Sequence, residues 1–471
     1  MEDGEAFLLG RLVDERFGRQ VSAPFALQIE FTSDCNLRCV MCPLTEGTTA
    51  SSRTPGAQLR TDTWSDLLDH ARRAGQVFVA GFGEPLLHAR CLEMLTDLDA
   101  AGVRTSFVTN GLALTPEVAR TLATLESLVH VNVSIDSPDP ETYRRIRRGS
   151  VRRALWGLGN LMAVFPTDRV SVSAIAMAEN LETLVDLPGV LHPLGVTHLE
   201  IQGVADYNEY SRLQHLVGVG RFEEVVAELR STCEELGIVL NLALPQRTSL
   251  ELDDPERATE RFFGDVGSDA SSSRQCVLPW ELPYVDANGE VFTCCQAAAT
   301  GAPAMGRLGP GGLQEVWEDV PFRRFRRSMV DGRTLPDVCR ACTSVAIGPH
   351  PFARFWGTLI GQSSDPSTGD EVVVLRNDGA ETWTPELGPR VGVTAPRDGR
   401  SPFEVDSWIL PSRPACQSLA AVAPGELAEF RIPLAPGVSA DQPFQFVVDG
   451  VCWLPGTVFT VSRPGVAVGT G

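Results

Sequence analysis

The sequence predicts an α/β protein: an incomplete (β/α)6 barrel of the TIM type, followed by a small cysteine-bearing unit and an all-β sandwich. Three observations carry this expectation. From Phe25 to about Leu244, short apolar runs alternate with helix-length amphipathic stretches, the pattern of parallel βαβ units. From Cys276 to about Gly361, five of the twelve cysteines crowd into one stretch. From Asp370 onward no helical period remains, and turn signals separate short strands. The expected units are residues 1–250, 265–361 and 370–471.

In the first unit, strands are expected at Ala26–Ile29, Val77–Gly81, Thr105–Thr109, Val131–Ile135, Val170–Ala176 and His198–Ile201, with a further strand at Ile238–Leu242. Helices fill the gaps at Trp64–Ala74, Leu92–Ala101, Pro116–Leu125, Val151–Val164, Leu181–Val190 and Phe222–Leu236. In such an architecture the chemistry sits at the C-terminal ends of the strands. Pro245–Ser273 is polar and acidic and reads as a linker or mobile loop, and Gln362–Gly369 reads as a second linker. In the tail, strands are expected at Glu371–Arg376, Phe403–Leu410, Leu427–Ile432 and Phe444–Val448.

The formal net charge is −20, from 60 acidic and 40 basic residues. A surface this acidic repels phosphate backbones and anionic lipids, so neither a nucleic acid nor a membrane is the expected partner. The N-terminus lacks a basic segment leading into an apolar one, and no run of apolar residues is long enough to span a bilayer. A cytoplasmic location is therefore expected. In a reducing compartment, clustered cysteines point to metal binding or catalysis rather than to disulfides.

The sharpest motif is Cys35-Asn-Leu-Arg-Cys39-Val-Met-Cys42-Pro43, on a loop directly after the first strand. This spacing sets three thiolates around one face of a cube, and a four-iron cluster held by three ligands keeps one iron open. The run resembles the signature of the radical S-adenosylmethionine (SAM) superfamily. Met41 stands where that family usually has an aromatic residue, at a packing position. The resemblance implies a [4Fe–4S] cluster on Cys35, Cys39 and Cys42. It also implies SAM on the open iron and a flavodoxin or ferredoxin-like electron donor. Gly81-Phe-Gly83-Glu84-Pro85, ending the second strand, looks like the family's glycine-rich motif that receives the methionine amino group. Thr109 and Asn110 end the third strand. Ser134 and Asp136 end the fourth, where relatives bind ribose hydroxyls. Met177 and Asn180 resemble adenosine contacts. Glu200 and Gln202 flank Ile201 and face either the substrate or the core.

Cys276, Cys294, Cys339 and Cys342 supply four more thiols, Cys294 closing a hairpin that turns at Asn288-Gly289. Taken alone, four such cysteines also suit structural zinc. Their arrangement resembles the twitch form of the SPASM auxiliary domain, which implies a second [4Fe–4S] cluster. Cys295 competes with Cys294 as a ligand. Cys294 is favoured because its spacing resembles that of the aminocyclitol dehydrogenases. A radical epimerase also needs a hydrogen-atom donor; Cys295 and Cys91 are candidates, with Tyr143, Tyr207 and Tyr210 behind them.

The tail resembles immunoglobulin-like domains attached to bacterial polysaccharide-handling enzymes, and Trp383, Trp408 and Trp453 are candidates for stacking on sugar rings. Together with a likeness to the radical SAM epimerase of avilamycin biosynthesis, this implies a sugar, cyclitol or oligosaccharide substrate. Epimerisation is the favoured outcome, and oxidation of an alcohol to a ketone is the alternative. Modification of a peptide is a further alternative. It calls for a leader-binding domain ahead of the barrel, where only about 24 residues stand.

Overall fold

The computed structural model describes residues 23–205, 207–214, 221–243, 275–331, 336–340, 342, 350–394 and 397–463. Seven parallel strands form the first unit: β1 (Leu27–Ile29), β2 (Gln76–Val79), β3 (Arg104–Thr109), β4 (Leu128–Ser134), β5 (Val170–Ala176), β6 (His198–Gly203) and β7 (Val239–Ala243). They pair in chain order, each with the next. Alternation along each strand decides its faces. Leu27, Ile29, Val77, Val79, Val131 and Val133 are buried against the outer helices. The opposite face carries polar groups. Asn132 pairs in register with Ser171, and Ser134 with Ser173, which in turn pairs with Glu200. Asn132 Nδ2 donates to Ser171 Oγ (2.7 Å), and Ser173 Oγ donates to Asn132 Oδ1 (2.7 Å).

The helices follow their local signals. Thr61–Ala74 buries Trp64, Leu67 and Ala71, one helical stripe, and stops at Gly75, whose φ of 74° favours a residue without Cβ. Pro140–Arg147 starts on Asp139, whose side chain accepts from Thr142 N–H, with Pro140 at the first helical position.

The cysteine-bearing unit extends this sheet. The strands β8 (Tyr284–Val285), β9 (Glu290–Phe292) and β10 (Gly306–Arg307) join at the β1 edge, giving ten strands in the order β10-β9-β8-β1-β2-β3-β4-β5-β6-β7. β8 lies parallel to β1, and Gly289 (φ 79°) makes the expected turn into β9.

The tail forms two antiparallel sheets. β11 (Gly357–Ser364), β12 (Glu371–Asn377) and β15 (Leu427–Ile432) make one. β13 (Arg390–Val393), β14 (Ala415–Cys416), β16 (Ala440–Val448), β17 (Cys452–Trp453) and β18 (Phe459–Arg463) make the other. Phe430 of the first sheet meets Phe446 of the second, ring centroids 4.6 Å apart.

Two expectations fail here. Gln362–Gly369 is no linker: it completes β11 and turns back into β12, with Gly369 at φ 77°. Phe403–Leu410 is not a strand; it loops, with Phe403 and Trp408 inserted into the core. Pro245–Ser273 lies outside the described residues. Among the described residues no helix is long and apolar enough to cross a membrane.

Candidate active site

The cysteine loop leaves β1 and is pinned from three sides. Val40 N–H donates to the Ile146 carbonyl (2.9 Å), Asn208 Nδ2 donates to the Val40 carbonyl (3.0 Å), and Asn110 Nδ2 donates to Asn36 Oδ1 (2.8 Å). Burial raises all three thiols, Cys35 to about 11 and Cys39 to about 12, and Cys42 lies close enough to act on both of the others. Thiols so placed stay protonated on their own. Cationic iron would make thiolates stable there, as metal binding to cysteine displaces the proton.

The glycine-rich loop packs on this one. A Cβ at Gly83 would stand 1.9 Å from the Thr32 carbonyl oxygen, and one at Gly81 would stand 2.5 Å from Glu30 Cγ. The glycines are there for close approach. The buried Glu30 ties the pieces together: its carboxylate accepts from Phe82 N–H (2.7 Å) and from the Tyr284 hydroxyl (2.8 Å). Glu84 is 2% exposed, and burial raises its pKa. Its carboxylate accepts from Thr109 Oγ1 (2.7 Å), Asn110 N–H (2.7 Å) and Leu86 N–H (3.2 Å), so Glu84 joins the ends of β2 and β3. Pro85 is buried at the start of the short turn Pro85–Leu87.

Asp136 is not open to a ribose. It is fully buried and held by Arg147 through Nε–Oδ2 (2.6 Å) and Nη2–Oδ1 (2.9 Å), and it also accepts from Ile175 N–H (2.9 Å). Asn180 is likewise spent, donating to the Asp136 and Ile175 carbonyls and accepting from Met177 N–H. Met177 packs with Met41, Ile146 and Val204 beside Cys39. Ser134 remains half-buried, 3.5 Å from Ser173 Oγ. The Tyr143 hydroxyl is buried with no hydrogen-bond partner, in a setting where Arg147, Asp136, Cys39 and Glu84 all act on it. An unsatisfied hydroxyl there fits a site that a polar cofactor completes.

The second cysteine group gathers across the added hairpin. The Cys276 thiol, pushed up to about 12 mainly by burial, feels Cys294 and Cys342. Cys339 stands one turn before Cys342, whose N–H donates to the Cys339 carbonyl (3.3 Å). His350 Nε2 donates to the Cys276 carbonyl (2.9 Å), and its Nδ1 accepts from Phe352 N–H (3.2 Å). Among the described residues no His, Cys, Asp or Glu side chains are drawn together as one metal ion requires. A cubic cluster keeps its ligands on separate corners and has no such need.

The two groups face each other. The short helix Cys295–Ala299 follows Cys294, and the Ala298 carbonyl accepts from Ala50 N–H (3.0 Å), downstream of Cys42. Cys294 and Cys295 are partly buried against the cluster that includes Phe82 and Tyr284. The Tyr207 phenol, its pKa raised by burial, feels Cys295, Cys294 and Cys42, with Gln296 in hydrogen-bonding reach. Tyr210 is turned aside, bonded to Glu179. Cys91 is sealed in the barrel core with Met94, Leu95 and Leu98, so it is closed to a substrate as a hydrogen-atom donor.

Sequence reasoning missed Glu30, Tyr284, Arg147 and His350. Arg147 had a signal: Tyr143, Ile146 and Arg147 share one helical face, so one arginine of a run was bound to point inward.

The comparisons agree with this geometry. A family model described as the radical SAM superfamily matches residues 29–187, and the SPASM model, an iron–sulfur cluster-binding domain, matches residues 276–343. The chain therefore carries a radical SAM domain followed by a SPASM domain, a pairing that implies SAM and two [4Fe–4S] clusters. It is 28% identical over 368 residues to mycofactocin maturase MftC of Mycolicibacterium smegmatis, covering 76% of this chain and 85% of that protein. It is 24% identical over 367 residues to the PqqA peptide cyclase of Ruegeria pomeroyi, covering 75% and 87%. Streptococcus suis SuiB, solved bound to the precursor peptide SuiA, shares the fold with a TM-score of 0.50 at 16% identity, over 69% of this chain and 71% of SuiB.

Proposed function

We propose that this chain modifies a peptide by radical SAM chemistry. What carries the reading is the similarity, over three quarters of the chain, to a maturase and to a peptide cyclase. It favours a peptide over the sugar substrate expected from the sequence. One support for that expectation was Trp383, Trp408 and Trp453 as stacking candidates, and all three are buried.

Cys35, Cys39 and Cys42 would hold the cluster that binds SAM, and Cys276, Cys294, Cys339 and Cys342 would hold the second. Bound there with SAM, the first cluster would supply one-electron chemistry able to start hydrogen abstraction from carbon. The protein's part is placement. Gly81 and Gly83 let the backbone after β2 close on the cysteine loop. Glu84 fixes Thr109 and Asn110 beside it, and Ser134 leaves a hydroxyl at the end of β4. Tyr207 and Cys295 border the space between the two cysteine groups, where a peptide would lie.

The test is to incubate the anaerobically reconstituted, reduced enzyme and SAM with short genome-encoded peptides co-produced with it. Tandem mass spectrometry should find a mass change on one residue, with 5′-deoxyadenosine released. Peptides left unchanged, alongside solvent deuterium entering a sugar carbon or a ketone sugar product, would overturn the reading.

A further inference from the structure

Radical cleavage of SAM consumes one external electron, and the surface beside the first cysteine loop carries a run of exposed arginines. The chain bears a net charge of −20, yet residues 144–153 hold six arginines. Arg147 turns inward to Asp136; Arg144, Arg145, Arg148, Arg152 and Arg153 are exposed. Arg144 and Arg145 are partly offset by Glu141 (3.0 Å) and Glu179 (2.8 Å). Arg148 and Arg152 form no ion pair with a described residue.

This basic strip is built against the loop that carries the cysteines. Besides the Val40–Ile146 hydrogen bond, a Cβ at Gly149 would stand 2.3 Å from Leu37 Cδ2, between Cys35 and Cys39. The exposed Arg38 sits on the loop itself and donates to the Cys35 (2.6 Å) and Leu37 (2.8 Å) carbonyls. Arg153 Nε donates to the Leu112 carbonyl (3.1 Å), and its guanidinium lies 4.2 Å over the Trp156 ring. Seven of the eight tryptophans are buried; Trp156 is 43% exposed. An exposed Trp–Arg stack with a basic rim is the composition of a docking patch, and its charge runs against that of the whole molecule.

We propose that Arg38, Arg144, Arg148, Arg152, Arg153 and Trp156 dock an acidic one-electron carrier protein of the flavin or iron–sulfur class. One electron would pass from the reduced carrier, oxidised by one unit, to the cluster that Cys35, Cys39 and Cys42 would hold. No bond or proton moves in that step. The proposal rests on the radical SAM domain and not on the identity of the substrate. Opposite charge on the carrier steers it in and sets the face it presents.

The test uses the full chain with both clusters reconstituted, a bacterial flavodoxin of net negative charge, and the variant Arg144→Gln/Arg148→Asn/Arg152→Gln. Asn is chosen because Arg148 caps its helix at φ 56°, a conformation Asn tolerates. Affinity for flavodoxin by biolayer interferometry, and the stopped-flow rate at which prereduced flavodoxin bleaches the clusters, should each fall about tenfold or more. The wild-type dependence on salt should flatten, while reduction by dithionite stays unchanged. Unchanged affinity and rate overturn the proposal. So does a variant that keeps flavodoxin but loses the substrate peptide, since the patch then serves the peptide. If the triple variant fails to take up clusters, the single Arg152→Glu decides by the same two readouts. A wild-type chain that cleaves no SAM even with dithionite indicts the radical-enzyme reading and not the patch.

Discussion

Arg147 and Asp136 form a buried, doubly bonded ion pair, and both charges act on Cys39. Removing one partner of such a pair strands a charge out of water, at a cost of roughly 3–5 kcal/mol. Arg147→Met should therefore lower the anaerobic urea midpoint sharply, and Asp136→Asn added to it should recover much of the loss. A double variant no better than the single one would show that the pair is not the stabilising unit. Cys294 and Cys295 can be told apart at the same scale. Cys294→Ala should drop the iron content from about eight to about four per chain, whereas Cys295→Ala should leave it near eight. If Cys295 or Tyr207 returns a hydrogen atom, Cys295→Ala or Tyr207→Phe should still release 5′-deoxyadenosine while product formation stops. The sequence offered seven candidate ligands, Cys35, Cys39 and Cys42 by their spacing and Cys276, Cys294, Cys339 and Cys342 by a resemblance. It could not show Glu30, because one acid just past the end of an apolar strand carries no signal until Phe82 and Tyr284 are seen to converge on it.

Elements were legible where period and punctuation agree. β1, β2 and β3 alternate cleanly, the helices from Pro116, Pro140 and Val151 begin on the capping residues Thr115, Asp139 and Ser150, and Thr61–Ala74 ends at Gly75. β11 was illegible because Gln362-Ser-Ser-Asp-Pro-Ser-Thr-Gly has the composition of a linker. The ladder to β12 and the turn at Gly369 make it a hairpin all the same. The glycine-rich loop offers the sharpest test of an element. At Gly83 an added Cβ meets backbone, which cannot swing away; at Gly81 it meets the Glu30 side chain. Gly83→Ala should therefore cost more than Gly81→Ala, in the range of about 1–3 kcal/mol that overpacking exacts. It should also weaken SAM binding in equilibrium dialysis, because the loop can no longer close on Thr32. Equal effects of the two variants would mean that backbone contact is not what the loop requires.

At the scale of the whole molecule, the three parts meet around one buried helix start. β8 continues the barrel sheet past β1, and Arg397 of the tail bonds Glu281 (3.2 Å) while lying over Phe25 (3.7 Å) and Trp453 (4.4 Å). His350, fully buried against Trp280 and Phe352, holds the Cys276 carbonyl. Burial lowers its pKa from the usual 6.5 to about 4. Between those values the unfolded chain binds a proton that the folded chain refuses. Stability from this group is thus complete above pH 6.5 and lost as pH falls toward 4, by roughly 3 kcal/mol in all. Asp286, raised by burial to about 6, works with the opposite sign: the folded state holds its proton more tightly, and its contribution fades as pH rises through 6. The raw pH profile mixes the two, so a variant must separate them. His350→Gln keeps a donor for the Cys276 carbonyl and an acceptor for Phe352 N–H but cannot take up a proton. Anaerobic unfolding of wild type and variant from pH 7 to pH 4.5 should show the wild type losing stability faster on acidification, by an amount traceable to one proton. Parallel profiles would mean that His350 is already charged or exposed, and that the junction it braces opens before the fold does.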